Sequence, residues 1–152
     1  MKLAEALILR SDLQKRIEQL KVRLNRNVKV QEGDAPAENP VELFKELDQL
    51  LAELEIIIQK INKTNSATPF TADMKLSDAL TKRDILGMRR EILSEAVNAA
   101  SIKQDRYSKS EVKFFSTINI AQVQKEVDKI SKEFRELDTR IQEMNWRTDL
   151  IE

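Results

Sequence analysis

Hydrophobic residues recur along this chain at alternating spacings of three and four. Segment 2–30 places Ala6, Leu9, Leu13, Ile17, Leu20, Leu24 and Val28 on one stripe, with Ile8 and Val22 on the opposite side. Segment 120–147 repeats the pattern with Val123, Val127, Ile130, Phe134, Leu137, Ile141 and Met144. One apolar side chain per turn on a single stripe predicts long helices that bury a narrow face against other helices. In segment 41–64, Leu43, Leu47, Leu50, Leu51, Leu54, Ile57, Ile58 and Ile61 spread over roughly 140° of the helix circumference, more than one partner helix needs. A fourth segment, 77–101, has a less regular, smaller-residue face of Leu80, Ile85, Met88, Ile92, Ala96 and Ala99.

Capping and turn residues mark where these helices begin and what joins them. Asn39-Pro40-Val41-Glu42 supplies an N-cap side chain, a proline at the first helical position and an early carboxylate. Asn119 opens the last helix in the same way, and Ser77-Asp78 opens the third. Gln31 to Pro40 concentrates Gly33, Pro36 and Pro40 among acids, which predicts a solvated connection that reverses the chain. Asn65 to Leu76 breaks the helical period around Pro69, and its apolar pairs predict a short β-hairpin with arms 68–71 and 74–76. Arg106 to Asn119 alternates Val112, Phe114, Ser116 and Ile118 against Glu111, Lys113, Phe115 and Thr117, a strand signal that would complete a small three-stranded sheet. The expected architecture is mainly α: a single domain over 1–152, an antiparallel four-helix bundle of coiled-coil-like hairpins, with α-helix 1 on 2 and 3 on 4.

Composition narrows the chemistry. The 152 residues include neither histidine nor cysteine, and the 26 basic residues balance the 26 acidic ones. Disulfides and thiolate metal sites are therefore excluded, which suits a reducing cytoplasm, and the strong overall field of a dedicated nucleic-acid binder is absent. Charge is nonetheless split: residues 2–30 carry eight basic and three acidic groups, whereas 31–61 carry two basic and eight acidic. Opposite fields favour folding the two segments back on each other. At the start of the chain, Glu5, Arg10 and Asp12 interrupt a brief apolar stretch, so it reads as a helix start, and no apolar run approaches the roughly 18 residues that span a bilayer.

Candidate sites are few. Thr64, Ser66, Ser101, Ser108, Ser110 and Ser116 lack a histidine base and read as cap and loop residues. Carboxylate pairs such as Glu42/Glu46, Glu53/Glu55 and Glu133/Glu136 read as solvated helix faces; no catalytic residue, cofactor or metal site is expected. Arg83, Arg89, Arg90, Arg106, Lys109 and Lys113 near Tyr107, Phe114 and Phe115 resemble a polyanion-binding surface. Asp78, Asp84, Glu91, Glu95, Asp105 and Glu111 lie among them and offer local partners, which argues against a nucleic-acid partner. Mixed-sign polar faces with few aromatics likewise argue for helix packing over an interfacial membrane helix. Gly87, inside the third helix, predicts a close helix–helix approach, and Trp146 a packing anchor at the end of the fourth.

MKLAEALILRSDLQKRIEQLKVRL, VQEGDAPAENP, LSDALTKRDIL, RYSKSEVKF and LDTRIQEMNWRTDLIE, taken together, resemble the septicolysin-like family of small bacterial proteins over nearly the whole chain. That resemblance implies a mainly helical bacterial protein, and its label alludes to a thiol-activated cytolysin, which makes membrane perturbation the competing expectation. It carries no active-site residues onto this sequence. The leading expectation is a cytoplasmic, non-enzymatic, self-associating helical protein, a homo-oligomer with Ile8, Val22, Leu51, Ile56, Ile58 and Trp146 as interface candidates.

Overall fold

Helices form where the apolar stripes predict them. The computed structural model describes residues 1–101 and 112–152, and among these the chain is mainly helical, with four α-helices: α1 Leu3–Asn27, α2 Pro40–Ala67, α3 Leu76–Ala100 and α4 Ile120–Arg147. The chain divides into two compact units, one of Met1–Leu76 with Gln142–Glu152, the other of Ser77–Ile141.

In the first unit, α1 and α2 pack as an antiparallel hairpin. Leu13, Leu20 and Leu24 of α1 and Leu43, Leu50, Ile57 and Ile61 of α2 are buried. Burying an aliphatic side chain of this size contributes roughly 1.5–3 kcal/mol, so this seam is the main source of the unit's stability. Val28 lies beyond the end of α1 and is exposed, so the buried face of α1 ends one turn earlier than the spacing predicts, at Leu24 and Asn27. The start of α2 follows the predicted logic: the Asn39 side chain accepts from the Val41 backbone N–H at 3.0 Å and Pro40 occupies the first turn.

The linking loop is tied back at its two ends. Asn27 is buried; its side-chain nitrogen donates to the Arg23 carbonyl at 2.8 Å, and its oxygen accepts from the Glu38 backbone N–H at 2.9 Å. Arg23 grips Glu38 with two hydrogen bonds, 2.6 and 3.1 Å, and lies 3.6 Å from Glu46. Between these ties, the Asp34 N–H donates to the Gln31 carbonyl with Gly33 at φ 90°, the left-handed position that glycine occupies without a Cβ penalty.

No strand occurs among the described residues. The expected 68–76 hairpin reduces to one isolated antiparallel bridge, Pro69 with Lys75, and a few backbone bonds such as Leu76 N–H to the Thr68 carbonyl. Its physical reason is length: α2 runs on to Ala67 and α3 starts at Leu76, which leaves too few residues for a ladder. Of the expected 106–119 strand, residues 106–111 lie outside the described residues and 112–119 are non-strand, with Phe114 and Phe115 both exposed although they sit on opposite sides of the alternation. Alternation alone does not make a strand when no sheet edge is there to receive it.

In the second unit, α3 and α4 run antiparallel, linked by Arg83 to Asp138 at 2.9 Å and by Arg89 to Glu126 at 3.5 Å. The α4 seam is placed as predicted, with Val127, Ile130 and Ile141 buried. The α3 face is not. Ile85, Met88 and Ile92, expected inward, are exposed; the heptad that points inward is instead Ala79, Arg83, Leu86, Arg90, Leu93 and Val97. Two of those positions hold arginines, whose long aliphatic stems lie along a seam while the guanidinium reaches polar partners.

Candidate functional site

The termini, the α3–α4 seam and the exposed helix faces are the places where these side chains gather for something other than filling a core. At the termini, Met1–Leu3 and Thr148–Leu150 pair antiparallel: the Leu3 N–H donates to the Thr148 carbonyl and the Leu150 N–H to the Met1 carbonyl, both at 2.9 Å. Lys2 closes an ion pair to Asp149 at 2.7 Å. Thr64, fully buried on α2, donates its hydroxyl to the Lys60 carbonyl and accepts from the Ile151 N–H at 3.0 Å. This threonine therefore anchors the tail to the hairpin. Two carboxyl groups feel these contacts. The Glu38 carboxyl is held below its ordinary value of 4.5 by hydrogen bonds from Arg23, and Asp149 below 3.8 by its bond to Lys2. Arg23 is raised in turn, chiefly by Glu38.

Beside the tail, Leu9, Leu13, Ile56, Ile57 and Leu150 line a half-open groove of about 310 Å³, with Glu53, Lys60 and Glu152 also bordering it. It is mainly apolar, and the charges around it are of both signs. Among the described residues, no three carboxylates gather to hold a metal ion.

In the α3–α4 seam, Phe134 stands at the closest approach. A Cβ built on Gly87 would lie 3.1 Å from the Phe134 ring, and the Arg90 guanidinium sits 4.6 Å from the ring centroid. Gly87 thus makes the close approach its position predicts, and Arg90 adds a cation–π contact. Of the six cations read as a polyanion surface, Arg83 and Arg89 face carboxylates of α4, Arg90 covers Phe134 and Lys113 is exposed. Arg106 and Lys109 lie outside the described residues. Each of the three arginines of α3 thus has a partner within its own hairpin.

The interface candidates lie in separate places. Ile8 and Val22 share the outer side of α1, both exposed and four turns apart. Leu51 and Ile58 lie on one flank of α2, where Phe44, Leu47 and Leu54 complete a second heptad row; Phe44 and Leu51 are bare while Leu47, Leu54 and Ile58 are half-buried. Ile56 is on the other flank, in the groove, and Trp146 is exposed near the end of α4. Sequence reading missed the outer row of α3. There Ile85, Met88 and Ile92 are 56%, 57% and 57% exposed, and Ala96 and Ala99 continue the row as small exposed residues. The signal was available in the second, arginine-containing heptad of the same helix, which competes for the inward side.

With this geometry in view, residues 10–150 match the DUF6847 family, described as a family of unknown function. The chain belongs to that family. A crystal structure of a functionally unknown conserved protein from Corynebacterium diphtheriae is 43% identical, with a TM-score of 0.93 over 99% of each chain. No curated protein matches. These findings correct the septicolysin-like resemblance. The family that accounts for nearly the whole chain is DUF6847, and the helical segments that carried the likeness show seams and caps that many antiparallel helical hairpins share. The cytolysin expectation loses the resemblance on which it rested. Among the described residues, no helix is long and apolar enough to cross a membrane.

Proposed function

We propose that this DUF6847 protein is a non-enzymatic, cytoplasmic helical protein that self-associates, each helical hairpin presenting leftover apolar faces to further copies. One observation carries the reading. Large apolar side chains are bare at helical spacing on two different helices, Phe44 and Leu51 on α2 and Ile85, Met88 and Ile92 on α3. Scattered exposed aliphatic residues need no explanation, but rows at seven-residue or three-and-four spacing are what one helix offers another. The titratable groups support the non-enzymatic part. Among the described residues, the displaced carboxyls, Glu38 and Asp149, are held by structural ion pairs at a loop and at the termini. The absence of cysteine accords with a reducing compartment.

Static light scattering over a concentration series tests the proposal. It predicts a mass that climbs from one chain toward two or more as concentration rises through the micromolar range; a single-chain mass at every concentration overturns it.

A further inference from the structure

Two edges of opposite charge flank the bare row of α3. At 100° per residue, Asp84, Glu91 and Glu95 run along one side of the Ile85, Met88 and Ile92 row, and Lys82 and Arg89 along the other. When two copies of one helix pair through such a row, orientation decides which edges meet. In a parallel pair about a two-fold axis, the acidic edge of each helix faces the basic edge of the other, and Asp84 comes opposite Arg89 of the partner subunit, five residues on. In an antiparallel pair, acidic faces acidic and basic faces basic. Asp84 and Arg89 are largely exposed, and their pairings within the chain are long, 3.3 Å to Arg83 and 3.5 Å to Glu126. Both retain open sides for a second charge. Ala96 and Ala99, following in the row, allow the backbones to approach closely.

We infer that the outer face of α3 is a two-fold interface for a second copy of this chain, parallel in orientation, with Ile85, Met88 and Ile92 stacked on their own counterparts and Asp84 facing Arg89 across the axis. This inference rests on the self-association proposed above and names its surface. Three bulky side chains per copy bury far less than the roughly 1,200–2,000 Å² of a tight complex, so the pairing is weak and reversible.

The cysteine-free sequence makes the test direct. Single variants Ile85→Cys, Met88→Cys and Ile92→Cys are oxidised mildly and scored for disulfide-linked dimer. Parallel pairing sets each residue against itself, so Ile85→Cys and Ile92→Cys each cross-link. Cross-linking at Met88→Cys alone is the antiparallel result and overturns the inference, as does failure at both isoleucine positions. Light scattering of the unaltered chain separates the two levels: association without the isoleucine cross-links removes this surface but leaves self-association standing, and a single-chain mass throughout removes both. As a second variant, Asp84→Lys weakens association about tenfold, and adding Arg89→Glu recovers most of it. Equal weakening in the single and double variants contradicts the charge pairing.

Discussion

The two helical hairpins solve the same packing problem with opposite allocations of residues. In the α1–α2 hairpin, leucine and isoleucine fill the seam, and the charged groups sit at its end, where Arg23 closes on Glu38 and Glu46. In the α3–α4 hairpin, α3 gives two seam positions to Arg83 and Arg90 and a third contact to Gly87, while Ile85, Met88 and Ile92 stand outside. The difference teaches that an aliphatic row does not identify the buried side of a helix when a second heptad of mixed character competes for it. Arginine stems lie well along a seam, α4 presents Asp138 and Phe134 to receive the guanidinium groups, and the aliphatic row is released for another use.

Substitutions at matched positions sharpen this contrast most. Leu20→Ala or Ile61→Ala, in the seam of the first hairpin, is expected to lower unfolding free energy by about 3 kcal/mol in denaturant titration. Ile92→Ala on α3 is expected to change it by no more than about 0.5 kcal/mol. Equal losses would erase the distinction between the two helices. Phe134→Ala comes next, because it removes the ring on which Gly87 and Arg90 converge. Since the ring is only half-buried, the expected loss is about 2 kcal/mol, below that of a fully buried phenylalanine.

Smaller effects test the ties of the first unit. Thr64→Val keeps the shape but leaves the Ile151 N–H without its acceptor, a loss of about 1 kcal/mol that hydrogen exchange should show as faster opening at Leu150 and Ile151. Acid tests the carboxyl groups. The folded state holds Glu38 and Asp149 below their ordinary values, so the stability they contribute is present above about pH 4.5 and 3.8 respectively and is lost as pH falls through the depressed values. Carboxyl chemical shifts followed by NMR during an acid titration should move at lower pH for these two residues than in the unfolded chain. Arg10 offers the smallest change: its Nε is buried without a hydrogen-bond partner beside the α1 seam, and Arg10→Met should raise stability by up to about 1 kcal/mol in the same denaturant titration.

Much of this was legible in the sequence. The spacing of Val127, Ile130 and Ile141 announced the buried face of α4, and Asn39 and Asn119 announced two helix starts, because periodicity and capping are local properties. Local pattern also overreached: the Val112–Ile118 alternation has the chemistry of a strand, but a strand exists only where another supplies hydrogen bonds. The ties that hold the first unit join residues far apart in the chain, Thr64 to Ile151 and Lys2 to Asp149, and nothing in a threonine or a lysine announces such a partner. The inward turn of α3 depended on Asp138 and Phe134 of another helix, so only the assembled hairpin reveals which of its two rows is free.

Sedimentation velocity on the chain and on its Ile85→Ser/Ile92→Ser variant, at matched concentrations, shows whether the outer face of α3 joins two copies. The unaltered chain is expected to shift toward a dimer with rising concentration, while the variant keeps its helical content and associates markedly more weakly. Association of equal strength in both proteins, or loss of helical structure in the variant, would contradict it.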